Sequence, residues 1–362
     1  MVLLLFVAGL ILLIVGAEAL VRGSSRLAAS IGISPLVIGL TVVAFGTSSP
    51  ELAISINSTI SAQANIAVGN IIGSNIFNVL FILGLSALIT PLSVSQQLVR
   101  LDVPLMIVVS VLVLVLGADT NISRVEGFLL FMGLVAYIVF LIYQSQKESK
   151  EVYDEYAKEY GSKSDGKGNQ WLTNTGLVLG GLGLLVLGSR WLVASAVSIA
   201  QYLGVSELII GLTIIAAGTS LPEVVTSVIA SVRGERDIAV GNVVGSNLFN
   251  IMGVLGLASV VAPDGIEVST SALRFDIPVM IVVALACLPV FFTGSMIARW
   301  EGALFLGYYM AYTLYLMLAA TRHAALPVFN VAMLYFVIPL TLLTLIIVTT
   351  QSVRSRGKNE SQ

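Results

Sequence analysis

The stretch "VVAFGTSSPELAIS", residues 42–55, carries Gly46, Pro50 and Glu51 inside a run that otherwise reads as a membrane-spanning helix. Pro50 has no N–H to give to the carbonyl four residues back, on Gly46, and its ring pushes that carbonyl aside; the carbonyl of Thr47 is loosened with it. In hydrocarbon an unpaired carbonyl costs several kcal/mol, so a break of this kind persists only where something else satisfies it. Ala44, Thr47, Ser48 and Glu51 stand at i, i+3, i+4 and i+7, one face of a helix. Freed carbonyls, hydroxyls and one carboxylate therefore converge, and a bound cation would satisfy them.

The surrounding composition says where this happens. Of the 362 residues 57% are hydrophobic and 10% charged, and the mean hydropathy is +0.99, far outside the range of soluble domains. Apolar runs long enough to cross ~30 Å of hydrocarbon, ~20 residues each, recur from end to end, as helices do and β-barrel strands do not. The reading is an all-α integral membrane protein with eleven spans near residues 2–20, 34–61, 66–90, 101–117, 125–143, 172–199, 205–232, 238–261, 274–293, 299–319 and 327–350. The first lacks a basic n-region and a cleavage site and reads as a retained helix. One cysteine, Cys287, and one histidine, His323, leave nothing for a disulfide, a thiolate or imidazole metal cluster, or a Ser/His/Asp triad. With the N-terminus outside, 14 of the 18 Lys and Arg fall on inner connectors, among them Arg22, Arg26, Arg100, Lys147, Arg233, Arg236 and Arg299, and 3 (Arg124, Arg274, Arg322) on outer ones. That bias predicts a cell-membrane protein with its N-terminus outside and its polar linker 144–171 and C-terminus cytoplasmic.

Shifting the sequence by 172 positions lays "GLTVVAFGTSSPELAIS" (39–55) on "GLTIIAAGTSLPEVVTS" (211–227) and "IAVGNIIGSNIFN" (66–78) on "IAVGNVVGSNLFN" (238–250); between residues 39 and 85, 23 of 47 positions are identical. "RLDVPLMIVV" (100–109) recurs as "RFDIPVMIVV" (274–283), and "SRVEGFLLF" (123–131) as "ARWEGALFL" (298–306). Two five-helix units, 1–143 and 172–319, are followed by residues 320–362, an additional eleventh helix and a basic tail. An odd number of spans per unit makes the second enter the membrane from the opposite side. A ten-helix inverted repeat of this kind is built in many secondary transporters around a mid-membrane site of interrupted helices.

The repeat doubles the polar set. Ala216, Thr219, Ser220 and Glu223 mirror the first four residues, and the following helices add Asn70, Ser74, Asn78 and Asn242, Ser246, Asn250, at i, i+4 and i+8. Gly69 and Gly73, with Gly241 and Gly245, give the small-xxx-small spacing that lets helices approach closely. These are hard oxygen donors, suited to Ca²⁺ or Na⁺ rather than zinc or copper, and two carboxylates balance one Ca²⁺. A single Ser, Asn, Gly or Pro in a membrane helix usually packs, but an acid at mid-bilayer costs ~2.5 kcal/mol or more and is functional by default. Glu18 and Arg190 read as residues snorkelling near interfaces; Asp102, Asp276, Glu126 and Glu301 read as helix-start residues. No Asp pair or Ser/His set supports an intramembrane enzyme, and a cation channel fits two buried single acids in inverted repeats less well than a carrier.

At "GTSSPE" with "GNIIGSNIFN" and "GTSLPE" with "GNVVGSNLFN" the sequence resembles the cation/calcium antiporter superfamily, in its prokaryotic sodium/calcium exchanger branch, over about residues 1–319. The resemblance implies that Glu51 and Glu223 bind Ca²⁺, assisted by the carbonyls of Thr47 and Thr219. It implies that Na⁺ uses the same glutamates with the carbonyls of Ala44 and Ala216 and the oxygens of Thr47, Ser48, Ser74, Thr219, Ser220 and Ser246, and that Asn78 and Asn250 fill the remaining polar positions. Some members carry an aspartate where this chain has Asn250, so this pocket carries −2 at most. One Ca²⁺, two Na⁺ or two protons would neutralise it, whereas three Na⁺ would leave +1 at low dielectric. The expectation is an antiporter that exports Ca²⁺ in exchange for Na⁺ by alternating access, with the long, glycine-marked first two helices of each half as candidates for the sliding gate; exchange for H⁺ carried on the two glutamates is the alternative. No cofactor is expected. The partners are calcium and sodium ions and the bilayer, with no nucleic acid, and the sequence sets no oligomeric state.

Overall fold

Helices run from end to end in a computed structural model that describes residues 2–147, 170–205, 210, 214, 216–292 and 296–341. Linker residues 148–169, positions 206–209, 211–213 and 215 in and before the second motif, and the tail beyond residue 341, with the end of the expected eleventh span, lie outside the described residues. In chain order the elements are α1 (Val2–Ile31), α2 (Pro35–Thr47), α3 (Ser49–Ile60), α4 (Ala64–Ile89), β1 (Leu92–Ser93), α5 (Leu98–Asp119), β2 (Asn121–Ile122), α6 (Arg124–Lys147), α7 (Gln170–Tyr202), α8 (Leu221–Val232), α9 (Arg236–Val261), β3 (Ile266–Glu267), α10 (Ala272–Phe291), β4 (Met296–Ile297), α11 (Arg299–Ala320) and α12 (Leu326–Thr341). Among the described residues eight helices are long and apolar enough to cross a membrane, and nine if α2 and α3, which meet at a 46° bend, count as one span.

The first helix is longer than expected. Hydropathy falls away at Arg22, but the backbone goes on to Ile31 and stops only at Gly32, whose φ of 75° turns the chain; the N–H groups of Gly32 and Ile33 both return to the Ala28 carbonyl, at 3.0 and 3.2 Å. Glu18 therefore does not simply snorkel. It pairs with Arg22 one turn on and with Arg233, whose Nε donates to Oε2 at 3.0 Å while Nη2 lies 2.6 Å from Oε1, a forked, two-contact geometry.

Glycine decides which helices touch. α1 and α7 run antiparallel along each other; a Cβ on Gly16 would stand 2.8 Å from the Gly181 carbonyl, and one on Gly188 2.8 Å from that of Gly9. In the repeat alignment Gly9 corresponds to Gly181 and Gly16 to Gly188, so the contact maps onto itself. Gly241 and Gly245 bring α9 onto α2, their added Cβ atoms falling 2.9 Å from the Leu36 carbonyl and 2.6 Å from that of Leu40. The matching partners of Gly69 and Gly73 would be Leu208 and Leu212, outside the described residues. α4 and α9 are the most enclosed of the long helices.

Two short antiparallel ribbons tie the halves together, Leu92 opposite Ile297 and Asn121 opposite Glu267. Each joins the loop after the third helix of one half to the loop after the fourth helix of the other. Glu126 and Glu301 are helix-start residues as expected: their carboxylates accept from the N–H of Ser123 and Ala298, both at 2.8 Å. Asp102 and Asp276 are not. The π turns Leu98–Asp102 and Ala272–Asp276 start the helices earlier, so each aspartate sits a turn inside, where the Tyr137 hydroxyl donates to Asp102 at 2.8 Å and that of Tyr312 to Asp276 at 3.2 Å.

Candidate functional site

The two proline motifs break their helices where expected. Ser48 (φ −82°, ψ 8°) and Ser220 (φ −89°, ψ 10°) leave the helical region, and Pro50 and Pro222 sit in the first turns of α3 and α8, where a missing N–H costs nothing. Glu51 and Glu223 stand in those same first turns, at the positive ends of the helix dipoles. The fate of the carbonyl each proline frees can be followed in the second half: that of Gly218 accepts from Ser189 Oγ at 2.8 Å, so a neighbouring hydroxyl satisfies it and it is not left for an ion.

Glu51, Glu223, Thr47, Ser48, Ser220, Ser246, Asn78 and Asn250 are wholly buried, and Ser74 is 2% exposed. The two halves interlock. Ser48 donates to Glu223 Oε1 at 2.8 Å, and Ser220 donates to Glu51 Oε1 at 2.8 Å, with Ser74 Oγ 3.3 Å from Ser220. Thr47 lies beside Glu223 and Thr219 beside Glu51. α3 packs on the π turn Phe249–Leu255 that contains Asn250, and α8 on the π turn Asn78–Leu83. Single π turns are frequent at functional sites.

The polar atoms left over define what this arrangement can hold. Oε2 of Glu51, Oε2 of Glu223, Oγ1 of Thr219, Oγ of Ser246, and Oδ1 of Asn78 and of Asn250 have no protein partner. All six are oxygens able to accept, in an interior that would hold two carboxylates only with compensating positive charge. Among the described residues no cluster of three or more His, Cys, Asp or Glu is gathered as a metal site, so what is on offer is two acids among neutral oxygens. Ala44 is buried beside the site, but its carbonyl already accepts from the Ser48 N–H at 3.0 Å and from Thr47 Oγ1 at 3.4 Å. Ala216 opens the single turn Ala216–Gly218.

Asn70 and Asn242 brace the glutamate helices: Asn70 Nδ2 donates to the Glu51 carbonyl (3.3 Å) and Ser55 (3.0 Å), and Asn242 Nδ2 to the Glu223 carbonyl (3.4 Å) and Ser227 (2.9 Å). Asn242 Oδ1 also lies 3.0 Å from Thr47 Oγ1, which ties α9 to the first-half motif. Sequence reasoning passed over Ser55, Ser227, Asn75 and Asn247. The first two meet Asn70 and Asn242; the other two are buried and reach across to the opposite half. All four are identical between the repeats, and that identity was the signal available.

Comparison with known proteins places this geometry. The model of the sodium/calcium exchanger protein family matches residues 1–144 and 173–318. The protein CaxA of Alkalimonas amylolytica is 41% identical over 280 residues, 77% of this chain and 86% of that protein. The sodium/calcium exchanger MaX1 of Methanosarcina acetivorans is 35% identical over 339 residues, 85% of this chain and 96% of that one. Among solved structures, the sodium-calcium exchanger NCX_Mj soaked with Na⁺ and Sr²⁺ superposes with a TM-score of 0.73 at 30% identity, over 85% of this chain and 96% of the other.

Proposed function

The chain belongs to the sodium/calcium exchanger protein family, in the prokaryotic branch of the cation/calcium antiporters, and from that premise we propose that it exports Ca²⁺ against an inward Na⁺ gradient by alternating access. The family is one of membrane transporters that exchange ions, not of enzymes. The observation that carries the proposal is the crossed pair of glutamates: each is held on Oε1 by a serine of the other half and keeps Oε2 for a cation. Ca²⁺ and Na⁺ would compete for Glu51, Glu223, the oxygens of Thr47, Ser48, Ser74, Thr219, Ser220 and Ser246, the carbonyls of Ala44 and Ala216, and the Oδ1 atoms of Asn78 and Asn250. An emptied pocket with two bare carboxylates is costly to enclose, so the carrier would change sides only when loaded.

The architecture that serves this is two inverted five-helix units, 1–143 and 172–319, with a linker between them and an eleventh helix after them. The crossed ribbons support it: a loop after a third helix meets a loop after a fourth on one face only if the halves enter the membrane from opposite sides. The Lys and Arg distribution supports an outer N-terminus and an inner linker and C-terminus. Symmetric Asn78 and Asn250 limit the pocket to −2, which favours two Na⁺ per Ca²⁺, and leaves two H⁺ as the rival coupling. Ca²⁺ flux in proteoliposomes at clamped voltage tests this. An imposed Na⁺ gradient should drive it and an imposed pH gradient should not; drive by the pH gradient alone would replace Na⁺ by H⁺, and flux needing neither would make the protein a channel.

A further inference from the structure

An asparagine is a cation ligand only if its amide is turned the right way, with the carbonyl oxygen toward the ion and the NH₂ away. In Asn78 and Asn250 the NH₂ is taken by a partner in the opposite half and the carbonyl oxygen is left over. Asn78 Nδ2 donates to Asn247 Oδ1 at 3.0 Å, and Asn250 Nδ2 donates to Asn75 Oδ1 at 3.2 Å, leaving Oδ1 of Asn78 and Asn250 without protein partners. The direction of these bonds is itself fixed one step further out. Asn247 Nδ2 lies 3.3 Å from Met106 Sδ; Asn75 Nδ2 lies 3.5 Å from Met280 Sδ and 3.5 Å from the Asn247 carbonyl. A thioether has no proton to give. It therefore draws the NH₂ end of Asn75 or Asn247, whose Oδ1 is left to accept from Asn250 or Asn78. Met106 and Met280 occupy equivalent places in "RLDVPLMIVV" and "RFDIPVMIVV", and Asn75 and Asn247 in the two "GSN" motifs, so the relay is present twice.

We propose that Asn75 and Asn247 are positioning residues: each takes its direction from a methionine sulfur and holds the ion-facing asparagine of the other half with its oxygen toward the cation. This rests on the cage assigned above. It also makes the two halves of the pocket interdependent, because each half orients a ligand belonging to the other.

The pairing is crosswise, which makes it measurable. Asn247→Leu should raise the Ca²⁺ concentration for half-saturation of purified protein, read by calorimetric titration, about 5- to 10-fold, the ratio expected for one lost buried hydrogen bond. The same change made on Asn78→Ala should add nothing, while on Asn250→Ala it should keep its full effect; Asn75→Leu should show the reverse pattern. Met106→Leu, a volume-conserving change that the fold tolerates, should weaken binding in the same direction and lose its effect on Asn78→Ala, so the relay is tested even where an asparagine variant does not fold. A merely structural role predicts effects that add in every background, and that result would overturn the proposal. Ca²⁺ binding needs no transport, so crosswise coupling in a protein that fails to exchange Ca²⁺ for Na⁺ would overturn the exchange reading alone; wild-type protein that binds no Ca²⁺ would overturn both.

Discussion

At mid-membrane the two halves of this molecule can hardly be told apart; at their ends they differ. Ser48 reaches Glu223 and Ser220 reaches Glu51 at the same 2.8 Å, and the Asn70 and Asn242 braces repeat the same bonds. Yet α1 packs along α8, while α7, its equivalent, makes no comparable contact with α3. Asn242 is wholly buried and Asn70 half-buried. The pair that fastens α1 to the end of α8, Glu18 with Arg233, has no counterpart, since the equivalent positions hold Arg190 and Ser61. Ser189, which satisfies the Gly218 carbonyl, is matched by Ala17. Two identical halves would give a carrier two states of equal energy. Small unlike contacts at the ends can then tip the population without touching the two glutamates, because a few kcal/mol is all that separates such states.

The strongest way to break the symmetry of the cage is to remove its charges one at a time. Glu51→Gln and Glu223→Gln should each lower Ca²⁺ flux more than 100-fold, since taking one member from a buried charged set costs ~3–5 kcal/mol. The two losses should agree within about threefold. A variant that kept a tenth of wild-type flux would show that the acids are not equivalent and that one half binds the ion alone.

Much of this was legible from the repeat. A glutamate after a proline, found twice in the same polar setting, marked the pocket, and the hydrogen bonds do join Ser48 to Glu223 and Ser220 to Glu51 and Ser74. What escaped was whatever depends on two helices at once. Helical spacing grouped Asn70, Ser74 and Asn78 on one face and so set Asn75 aside, although Asn75 faces the other half. Asp102 looked like a cap because it follows Arg100 and precedes Pro104, and nothing local announces Tyr137, 35 residues away. Hydropathy ended the first helix near residue 20, because apolar content and hydrogen bonding stop in different places; the backbone stops where Gly32 adopts a positive φ.

A smaller effect sharpens the comparison at the ends. Arg233 is about half exposed, so its pair with Glu18 is screened and worth ~0.2–1 kcal/mol. Arg233→Gln or Glu18→Gln should leave Ca²⁺ binding intact but shift the balance of the two carrier states by up to about fivefold, read as faster hydrogen exchange along α8. The exchange of charges, Glu18→Arg with Arg233→Glu, should restore protection. Unchanged exchange in the single variants would mean that helix packing alone keeps this end shut.

The smallest expected effect lies in the turns that close α3 and α8. They are built alike: Gln63 N–H returns to the Ser58 carbonyl at 2.8 Å, and Glu235 N–H to that of Ala230 at 2.9 Å. The residue before each carries a positive φ, 84° at Gly234 but 58° at Ala62. A side chain in that left-handed conformation costs ~1–2 kcal/mol, against which glycine gives back ~0.5–1 kcal/mol in chain entropy. Ala62→Gly should therefore stabilise the protein by about 0.5–1 kcal/mol, and Gly234→Ala should destabilise it by a similar amount, both read as shifts in thermal unfolding in detergent. Neither residue touches the cage, so Ca²⁺ flux should not follow the melting temperature. If Gly234→Ala altered flux where Ala62→Gly did not, the turn beside Arg233 would have to move during transport, and the difference between the two ends would reach beyond one ion pair into the backbone that carries it.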